Sequence, residues 1–313
     1  MILGAAFAVP ATWAAAQGFP VKPMRLLVGY SAGGGADALA RIVAAKMGSE
    51  LGQQVLVENR PGAGATLAAD TVAKAAPDGY TIFFADSALL IAPSIHARLP
   101  FDALKSFAPV GGAVTTPLVV VVNPSLPAES TQGLIRLLRA APGKYSYGSP
   151  GVGTVHHLAM ELFKKQAGVD VLHVPYKGAS GIVPDVISGQ LPIAVMSASP
   201  ALAQAKAGKL RPIALTSPAK LANVAWPALA DTLPGFDASP RLFILAPAAT
   251  PAPVVALLNA TLKSALASPD VMEAIANQGA APDYTTPQQL GARMTEEARK
   301  WEQVAKDSGA KAE

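Results

Sequence analysis

The chain of 313 residues contains no cysteine, which excludes disulfide bonds, thiolate catalysis and zinc sites built on cysteine. Charged residues make up only 15% of the chain and hydrophobic residues 51%, the opposite of the balance that is typical of disorder. The formal net charge is +4, yet no basic run occurs, so we expect no nucleic-acid partner. After residue 16 no run of eighteen apolar residues occurs, so we expect a soluble mature protein.

The N-terminal segment indicates export. Residues 2–16 are uncharged, apolar and rich in alanine, and Ala16 before Gln17 satisfies the small-residue rule of a signal peptidase site. The segment is too short to cross a bilayer. Because no lysine or arginine precedes it, we interpret residues 1–16 as a signal peptide truncated at its N terminus and predict a periplasmic location. The alternative is an alanine-rich terminus without a targeting role.

Short apolar runs alternate with helical periods along the rest of the chain, which is typical of α/β folds with mainly parallel sheets. A first set comprises predicted strands at 24–30, 55–58 and 81–85 and helices at 36–51 and 66–75. After a β-rich run at 110–122, a second set comprises strands at 145–148, 171–175, 193–196 and 211–215 and helices at 131–140, 154–167, 182–188 and 200–207. A strand at 243–246 and helices at 251–267, 269–276 and 287–307 follow. Two α/β lobes with a cleft between them are therefore expected.

A glycine-rich turn occurs once in each set. The first, YSAGGG (30–35), and the second, GSPGVG (148–153), each join the end of a strand to the start of a helix. Glycine lets a ligand approach the backbone, and the unpaired N–H groups and positive dipole of a helix N terminus attract anions. We therefore predict that the two turns each hold a carboxylate of one ligand. The alternative is that such turns are simple connectors.

Motifs that indicate catalysis or a cofactor are weak. In the dinucleotide fingerprint the first glycine directly follows the strand, whereas here the residues 30–32 precede Gly33, so the turn departs from it. The run around Ser149 is not a G-x-S-x-G nucleophile elbow. His156 and His157 are adjacent and cannot form a metal pair with helical spacing. We expect no enzyme activity, no cofactor and no metal.

Several sequence blocks resemble the Bug family, the solute-binding proteins of tripartite tricarboxylate transporters. The matching blocks, in order, are KPMRLLV (22–28), AGGGAD (32–37), LGQ (51–53), VENRPGAG (57–64), PDGYT (77–81), YGS (147–149), HVPYKG (173–178) and GKLR (208–211). Each block alone is weak, but together they span nearly the whole mature chain. The resemblance implies an α/β, two-lobed periplasmic-binding-protein (Venus flytrap) fold with a ligand cleft between the lobes. We expect lobe 1 at 22–105 plus 221–313 and lobe 2 at 106–220.

The resemblance also implies the ligand contacts, made largely by main-chain and hydroxyl groups. In the first lobe they are Tyr30, Ser31, Ala32, Gly33, Gly34 and Ser87. In the second lobe they are Ser149, Gly151, Gly153, Thr154, Tyr176, Lys177, Gly178 and Ser197. From their positions next to the two turns we add Asp37 and His157 to the site. We expect Asp37 to cap the first turn instead of touching an anionic ligand, because its own carboxylate repels one.

Two positions depart from the family pattern. Relatives often have Pro-Phe where this chain has Gly29 and Tyr30, and an aromatic residue followed by glycine near Arg241 and Phe243. Arg241 is either a surface residue or a cleft residue that pairs with the ligand. The departures leave the ligand identity open among di- and tricarboxylates, acidic amino acids and aromatic acids.

The sequence as a whole predicts a monomeric periplasmic receptor that delivers an organic acid to membrane permease subunits. Two alternatives stay open: a periplasmic enzyme, and a sensing subunit that passes ligand occupancy to a membrane kinase.

The export hypothesis predicts a defined mature N terminus. When a chain with a restored basic start is expressed in a bacterial host, N-terminal sequencing of the periplasmic protein should begin near Gln17. A cytoplasmic product that retains Met1 would contradict the prediction.

Overall fold

The computed structural model describes residues 18–176, 181–218, 221 and 224–311. In these ranges the chain forms two α/β units, each built on its own sheet. None of the helices in this part of the chain is long and apolar enough to cross a membrane. The predicted signal peptide at 1–16 lies outside the described residues.

The first unit is built on six strands: β1 (Met24–Val28), β2 (Val55–Asn59), β3 (Thr81–Asp86), β4 (Phe107–Thr115), β10 (Arg241–Pro247) and β11 (Ala281–Pro282). Their order in the sheet is β11-β4-β10-β3-β1-β2. β1 pairs in parallel with β2 and β3, whereas β10 is antiparallel to β3 and β4. The helices of this unit are α1 (Gly35–Leu51), α2 (Thr66–Ala73), α3 (Ala88–Ile95), α8 (Ala252–Ala267), α9 (Pro269–Asn277) and α10 (Pro287–Ser308).

The second unit is built on five strands: β5 (Leu118–Val122), β6 (Ser146–Ser149), β7 (Leu172–Pro175), β8 (Ile193–Ser197) and β9 (Arg211–Leu215). Their order is β7-β6-β8-β5-β9, with β6 parallel to β7 and β8 and with β5 antiparallel to β8 and β9. The helices are α4 (Thr131–Ala140), α5 (Val155–Ala167), α6 (Ile182–Ser188) and α7 (Ala198–Lys206).

Most predicted elements occur in the structure with ends shifted by a few residues. Two elements were not predicted: the two-residue strand β11, and α3, whose sequence ALLIAPSI is mostly apolar and contains Pro93, so it shows no helical period. α7 begins before Pro200, where the sequence analysis placed its start. Residue Pro200 lies in the first turn of α7, where the missing N–H costs no helical hydrogen bond.

The predicted lobe boundary at 105/106 needs correction. β4 follows it but pairs with β10 in the first sheet, and the chain enters the second sheet only at Leu118. The run at 110–122 reads as one β-rich segment, although Pro117 divides it between two sheets. The first crossing therefore lies at 116–117.

The predicted return at 220/221 also lies too early. Leu221 packs in a hydrophobic cluster with Val119 and Met196 of the second sheet, and Ala228 bridges to Leu215 of β9. The chain therefore leaves the second unit between residue 228 and β10. The two crossings contact each other, because the N–H of Thr116 donates to the carbonyl oxygen of Pro240 at 3.0 Å.

Helix α10 connects the two units through the core. One hydrophobic cluster contains Phe83 of β3, Val120 of β5 and Trp301 of α10, all of them fully buried or nearly so. Nζ of Lys165 in α5 lies 2.6 Å from Oδ2 of Asp307 in α10. The first turn of α10 carries a capping box, in which the side chain of Thr286 accepts a hydrogen bond from the N–H of Gln289.

Arg241 lies among carboxylates where β10 begins. Its Nη1 lies 2.5 Å from Oε1 of Glu297, its Nε lies 3.3 Å from Oδ2 of Asp283, and its Nη2 pairs with Asp237. The arginine side chain is 16% exposed and that of Glu297 only 6%. Burial opposes the charge of Arg241, but the carboxylates of Glu297 and Asp237 outweigh it and raise the arginine pKa. The arginine is therefore a structural ion-pair residue, not a solvated one.

This network predicts a large loss of stability for Arg241→Met. Removing the guanidinium leaves the buried carboxylate of Glu297 without its counter-ion, which costs about 3–5 kcal/mol in the free energy of unfolding. The measurement is urea-induced unfolding of both proteins. The matched control is Arg25→Met, because Arg25 also pairs with a carboxylate, that of Glu58, but its side chain is 44% exposed. This variant should lose less than about 1 kcal/mol in the free energy of unfolding. Equal losses in the two variants would contradict the structural role.

Candidate functional site

Two adjoining cavities lie between the two units, and we call their combined space the cleft. Their volumes are about 450 and 520 Å³, within the range of pockets that hold small ligands. Four residues line both cavities: Tyr30, Asp86, His156 and Pro240. They come from both units, so the cleft depends on how the units are held together.

The two units touch beside the cleft at two glycines. A Cβ added to Gly153 of the second unit would lie 2.8 Å from Cδ1 of Ile95 in α3. A Cβ added to Gly279, between α9 and β11, would lie 3.0 Å from the backbone nitrogen of Ser199 in α7. Both glycines have a positive φ, 74° at Gly153 and 69° at Gly279, a conformation that residues with a side chain rarely adopt. The structure is therefore a form in which the units are in close contact.

The first glycine turn brings the N terminus of α1 to the cleft. Gly34, Gly35 and Ala36 line the larger cavity. The N-cap residue is Gly34, which supplies no side-chain hydrogen bond to the helix. The N–H groups of the first turn therefore lack internal partners, and the positive end of the helix dipole faces the cavity.

Asp37 shapes this turn from inside. Its Oδ2 accepts from the N–H of Gly33 at 2.9 Å, and its Oδ1 accepts from Nδ2 of Asn59 at 2.9 Å. Nη2 of Arg41 lies 3.0 Å from Oδ1, and hydrogen bonding to Arg41 is the main cause that lowers the pKa of Asp37 to about 2. The buried carboxylate has the capping role that the sequence analysis expected.

The second glycine turn brings the N terminus of α5 to the cleft. Gly153, Thr154 and Val155 line the smaller cavity. This turn uses more of its own donors than the first one. The Thr154 hydroxyl donates to the Gly151 oxygen at 2.8 Å and accepts from the N–H of His157 at 3.2 Å. Fewer hydrogen-bonding groups therefore remain here for a ligand.

Two further helices begin at the cleft. Ser197, Ala198 and Ser199, at the start of α7, line the larger cavity, and Ala88, at the start of α3, lines the smaller one. Neither α7 nor α3 follows a glycine-rich turn. The two helices thus bring the number of helix N termini described at the cleft to four.

His156, and not the predicted His157, faces the cleft. His156 lines both cavities, and burial lowers its pKa to about 4, so its ring is neutral near pH 7. His157 is 5% exposed, and its Nδ1 accepts from the N–H of Gly153 at 3.1 Å. Adjacent helical residues point in different directions, which is why one of the two histidines supports the turn and the other lines the cavity.

A buried polar cluster stands behind the second turn. The ring of His173 stacks on those of His157 and Tyr147, with centroids 4.0 and 4.9 Å away. Nε2 of His173 lies 2.7 Å from Oγ of Ser149, and the Tyr147 hydroxyl donates to Glu161 at 2.7 Å. Burial is the main cause that lowers the pKa of His157 and His173 to about 4. The cluster supports the turn from below and does not line the cleft.

Tyr30 and Asp86 form a hydrogen-bonded pair inside the cleft. The Tyr30 hydroxyl donates to Oδ2 of Asp86 at 2.5 Å, and the N–H of Ala88 donates to Oδ1 at 3.0 Å. Burial raises the pKa of Tyr30 and also that of Asp86. Tyr30 is a predicted contact, whereas Asp86 was not predicted.

The structure brings part of the predicted site to the cleft. The predicted residues that line it are Tyr30, Gly34, Gly153, Thr154 and Ser197. Those exposed in the first turn but outside the lining are Ser31, Ala32 and Gly33. Those buried behind the turns are Asp37, Ser87, Ser149 and His157. Gly151 and Tyr176 belong to the second unit without lining either cavity, and Lys177 and Gly178 lie outside the described residues.

Ser87 is the clearest correction among these residues. It is fully buried, its hydroxyl accepts from the N–H of Arg241 at 3.1 Å, and it donates to Glu297 at 3.3 Å. Its hydrogen bonds belong to the Arg241 network. Asp86, one residue earlier, is the side chain that points into the cleft at the end of β3.

A model of the tripartite tricarboxylate transporter family receptors matches residues 39–310 of this chain. The protein BugT of Bordetella pertussis is 34% identical over 300 residues, which cover 95% of this chain and 92% of BugT. Among solved structures, the R. palustris protein Rpa4515 with adipate is 30% identical with a TM-score of 0.79, covering 94% of this chain and 99% of that one. MatC from Rhodopseudomonas palustris with bound malate is 28% identical with a TM-score of 0.74, covering 91% and 99%.

The histidine cluster predicts that the protein loses stability in acid. The pKa values of His157 and His173 are lowered from 6.5 to about 4, so below pH 6.5 the unfolded chain binds protons that the folded chain does not. The loss grows as the pH falls from 6.5 towards 4 and reaches on the order of 3 kcal/mol for the stacked pair, whose two pKa shifts are coupled and do not simply add. Urea unfolding at a series of pH values measures it.

The matched variants are His157→Asn, whose amide oxygen keeps an acceptor for the turn, and His96→Asn, outside the cluster. The first should reduce the slope between pH 6.5 and 4 without abolishing it, because His173 and His156 still have a lowered pKa, and the second should leave the slope in place. An unchanged slope in His157→Asn would contradict the prediction.

Proposed function

The chain belongs to the receptor family of tripartite tricarboxylate transporters, and from this premise we propose that it is a periplasmic receptor that captures a small organic acid for membrane permease subunits. Membership confirms the resemblance to the Bug family. Because the family is one of solute-binding receptors, it also confirms the interpretation that the chain is not an enzyme.

The observation that carries the proposal is the convergence of helix N termini from both units on one cleft. α1 and α3 belong to the first unit, and α5 and α7 to the second. Each N terminus carries about half a positive charge, and α1 adds N–H groups without internal partners, whereas at α3 the N–H of Ala88 already donates to Asp86. An acid with carboxylates at both ends can contact both units at once, so its binding favours their closed arrangement.

The neutral ring of His156 supports the same function. A neutral imidazole has one N–H donor and one acceptor, so it can donate to a carboxylate without carrying charge. Ser197 and Thr116 add hydroxyl groups at the larger cavity. Such uncharged donors can bind an anionic ligand through hydrogen bonds without forming an ion pair.

The related structures point to the same class of ligand. Rpa4515 is described with adipate and MatC with malate, both dicarboxylates. The cavity volumes of about 450 and 520 Å³ have room for acids of this size. We therefore place the ligand among small organic acids.

Thermal unfolding in the presence of candidate ligands tests the proposal. A ligand at a hundred-fold excess over its Kd raises the free energy of unfolding by about 2.7 kcal/mol, a shift of several degrees in Tm. Dicarboxylates, tricarboxylates, acidic amino acids and aromatic acids should include the ligands that raise Tm. Neutral sugars should not, and a panel in which only sugars raise Tm would contradict the assignment.

Two variants locate the effect at α1. Gly34 has no positive φ, and an added Cβ would lie 3.5 Å from the nearest atom, so Gly34→Val should fold while it narrows the cavity. Its ligand-induced Tm shift should disappear. Ala32→Val, two residues away on the exposed part of the turn, should keep the shift. A full shift in Gly34→Val would show that α1 does not receive the ligand.

A further inference from the structure

The charges of the cleft are unbalanced. Among the described residues that line the two cavities, Asp86 supplies the carboxyl group, and neither lysine nor arginine is present. The strong cation close by, Arg241, already pairs with Asp237, Asp283 and Glu297. Among the described residues, a ligand in the cleft therefore meets the carboxyl group of Asp86 without a lysine or arginine in the lining to neutralise it.

A ligand with carboxylates alone fits this environment poorly. Two like charges 4 Å apart repel each other by about 4 kcal/mol at the effective dielectric of a protein surface. One helix N terminus offsets only about 0.3–1 kcal/mol. The helix N termini attract the carboxylates of the ligand, but near the end of β3 the carboxylate of Asp86 repels them.

Asp86 has acceptor capacity left over. A carboxylate offers about four lone-pair sites, and two are used by the Tyr30 hydroxyl and the N–H of Ala88. Both oxygens are fixed by these bonds at a position that lines both cavities. The remaining sites can accept hydrogen bonds from a donor on the ligand.

We propose that Asp86 is a specificity residue that receives a protonated nitrogen of the ligand, so that the preferred ligand is an amino-substituted organic acid. This inference rests on the proposed function and names the ligand class of the same cleft. The Tyr30 hydroxyl, held by Oδ2, positions the carboxylate. Burial raises the pKa of Asp86, and a cationic nitrogen beside it would favour the ionised form again.

Calorimetric titration with matched ligand pairs tests the proposal. The pairs are aspartate with succinate, glutamate with glutarate, and 2-aminoadipate with adipate, which differ in one ammonium group. Near neutral pH, the amino member of at least one pair should bind about ten-fold more tightly, or better, which corresponds to about 1.4 kcal/mol. Tighter binding of the unsubstituted member in every pair that binds would overturn the inference.

The variant Asp86→Asn keeps the shape of the side chain and removes its charge. It should lower the affinity for the amino acid by about ten-fold while the affinity for its unsubstituted partner stays the same or rises. Asp86→Ser is a second neutral variant, and the thermal melt of each shows that it is folded. An amino preference that survives in a folded neutral variant would overturn the role of Asp86.

The same titrations separate this inference from the proposed function. If acids bind without preference for the amino member, only the inference fails. If no acid binds and neutral sugars do, the proposed function fails and the inference loses its basis. If a protonated Asp86 donates to a ligand carboxylate, the unsubstituted acids bind best and Asp86→Asn retains them through its amide donor, which also overturns the inference.

Discussion

The direction of the parallel strands is the constraint on which the cleft depends. In the first unit, β1 and β3 end at the edge of the sheet that faces the second unit, and in the second unit, β6 and β8 end at the edge that faces the first. The helix that follows each of these strands must begin at that edge. An open α/β sheet binds ligands at this edge for the same reason. Because two such edges face each other, the N termini of the following helices share one space. No basic side chain is needed to make that space attractive to anions.

The two glycine turns contribute unequally to this space. In the first, Asp37 takes up the N–H of Gly33 from behind and leaves the first turn of α1 open to the cavity. In the second, the Thr154 hydroxyl and the His157 ring take up donors of the turn itself. The second turn is thus held rigidly by its own hydrogen bonds, and the cluster of His173, His157 and Tyr147 supports it. This asymmetry fits a binding mode in which the first unit binds the anion and the second unit closes over it.

Much of the fold, but less of the site, could be predicted from the sequence. Short apolar runs and 3.6-residue periods are local signals, so most strands and helices were predicted correctly, whereas α3 was missed because its mostly apolar sequence with Pro93 shows no period. The division of 110–122 between two sheets depends on long-range pairing of β4 with β10, which no local pattern reveals. The glycine turns were found because glycine before a helix is itself a signal. Asp86 was missed because the resemblance favoured its neighbour Ser87, and only the pleat of β3 decides which of the two faces the cleft.

The same geometry explains why the charge of Arg241 does not serve the ligand. Ser87 points away from the cleft and joins β3 to the backbone of Arg241 and to Glu297 of α10. The guanidinium holds three carboxylates from the crossing segment, the loop after β11 and α10, so its charge stabilises the junction between the units. With the buried cation used in this way, the described residues that line the cleft offer dipoles for anions and one carboxyl group, Asp86. Affinity for the acid then comes from the backbone, and discrimination between acids comes from a single side chain.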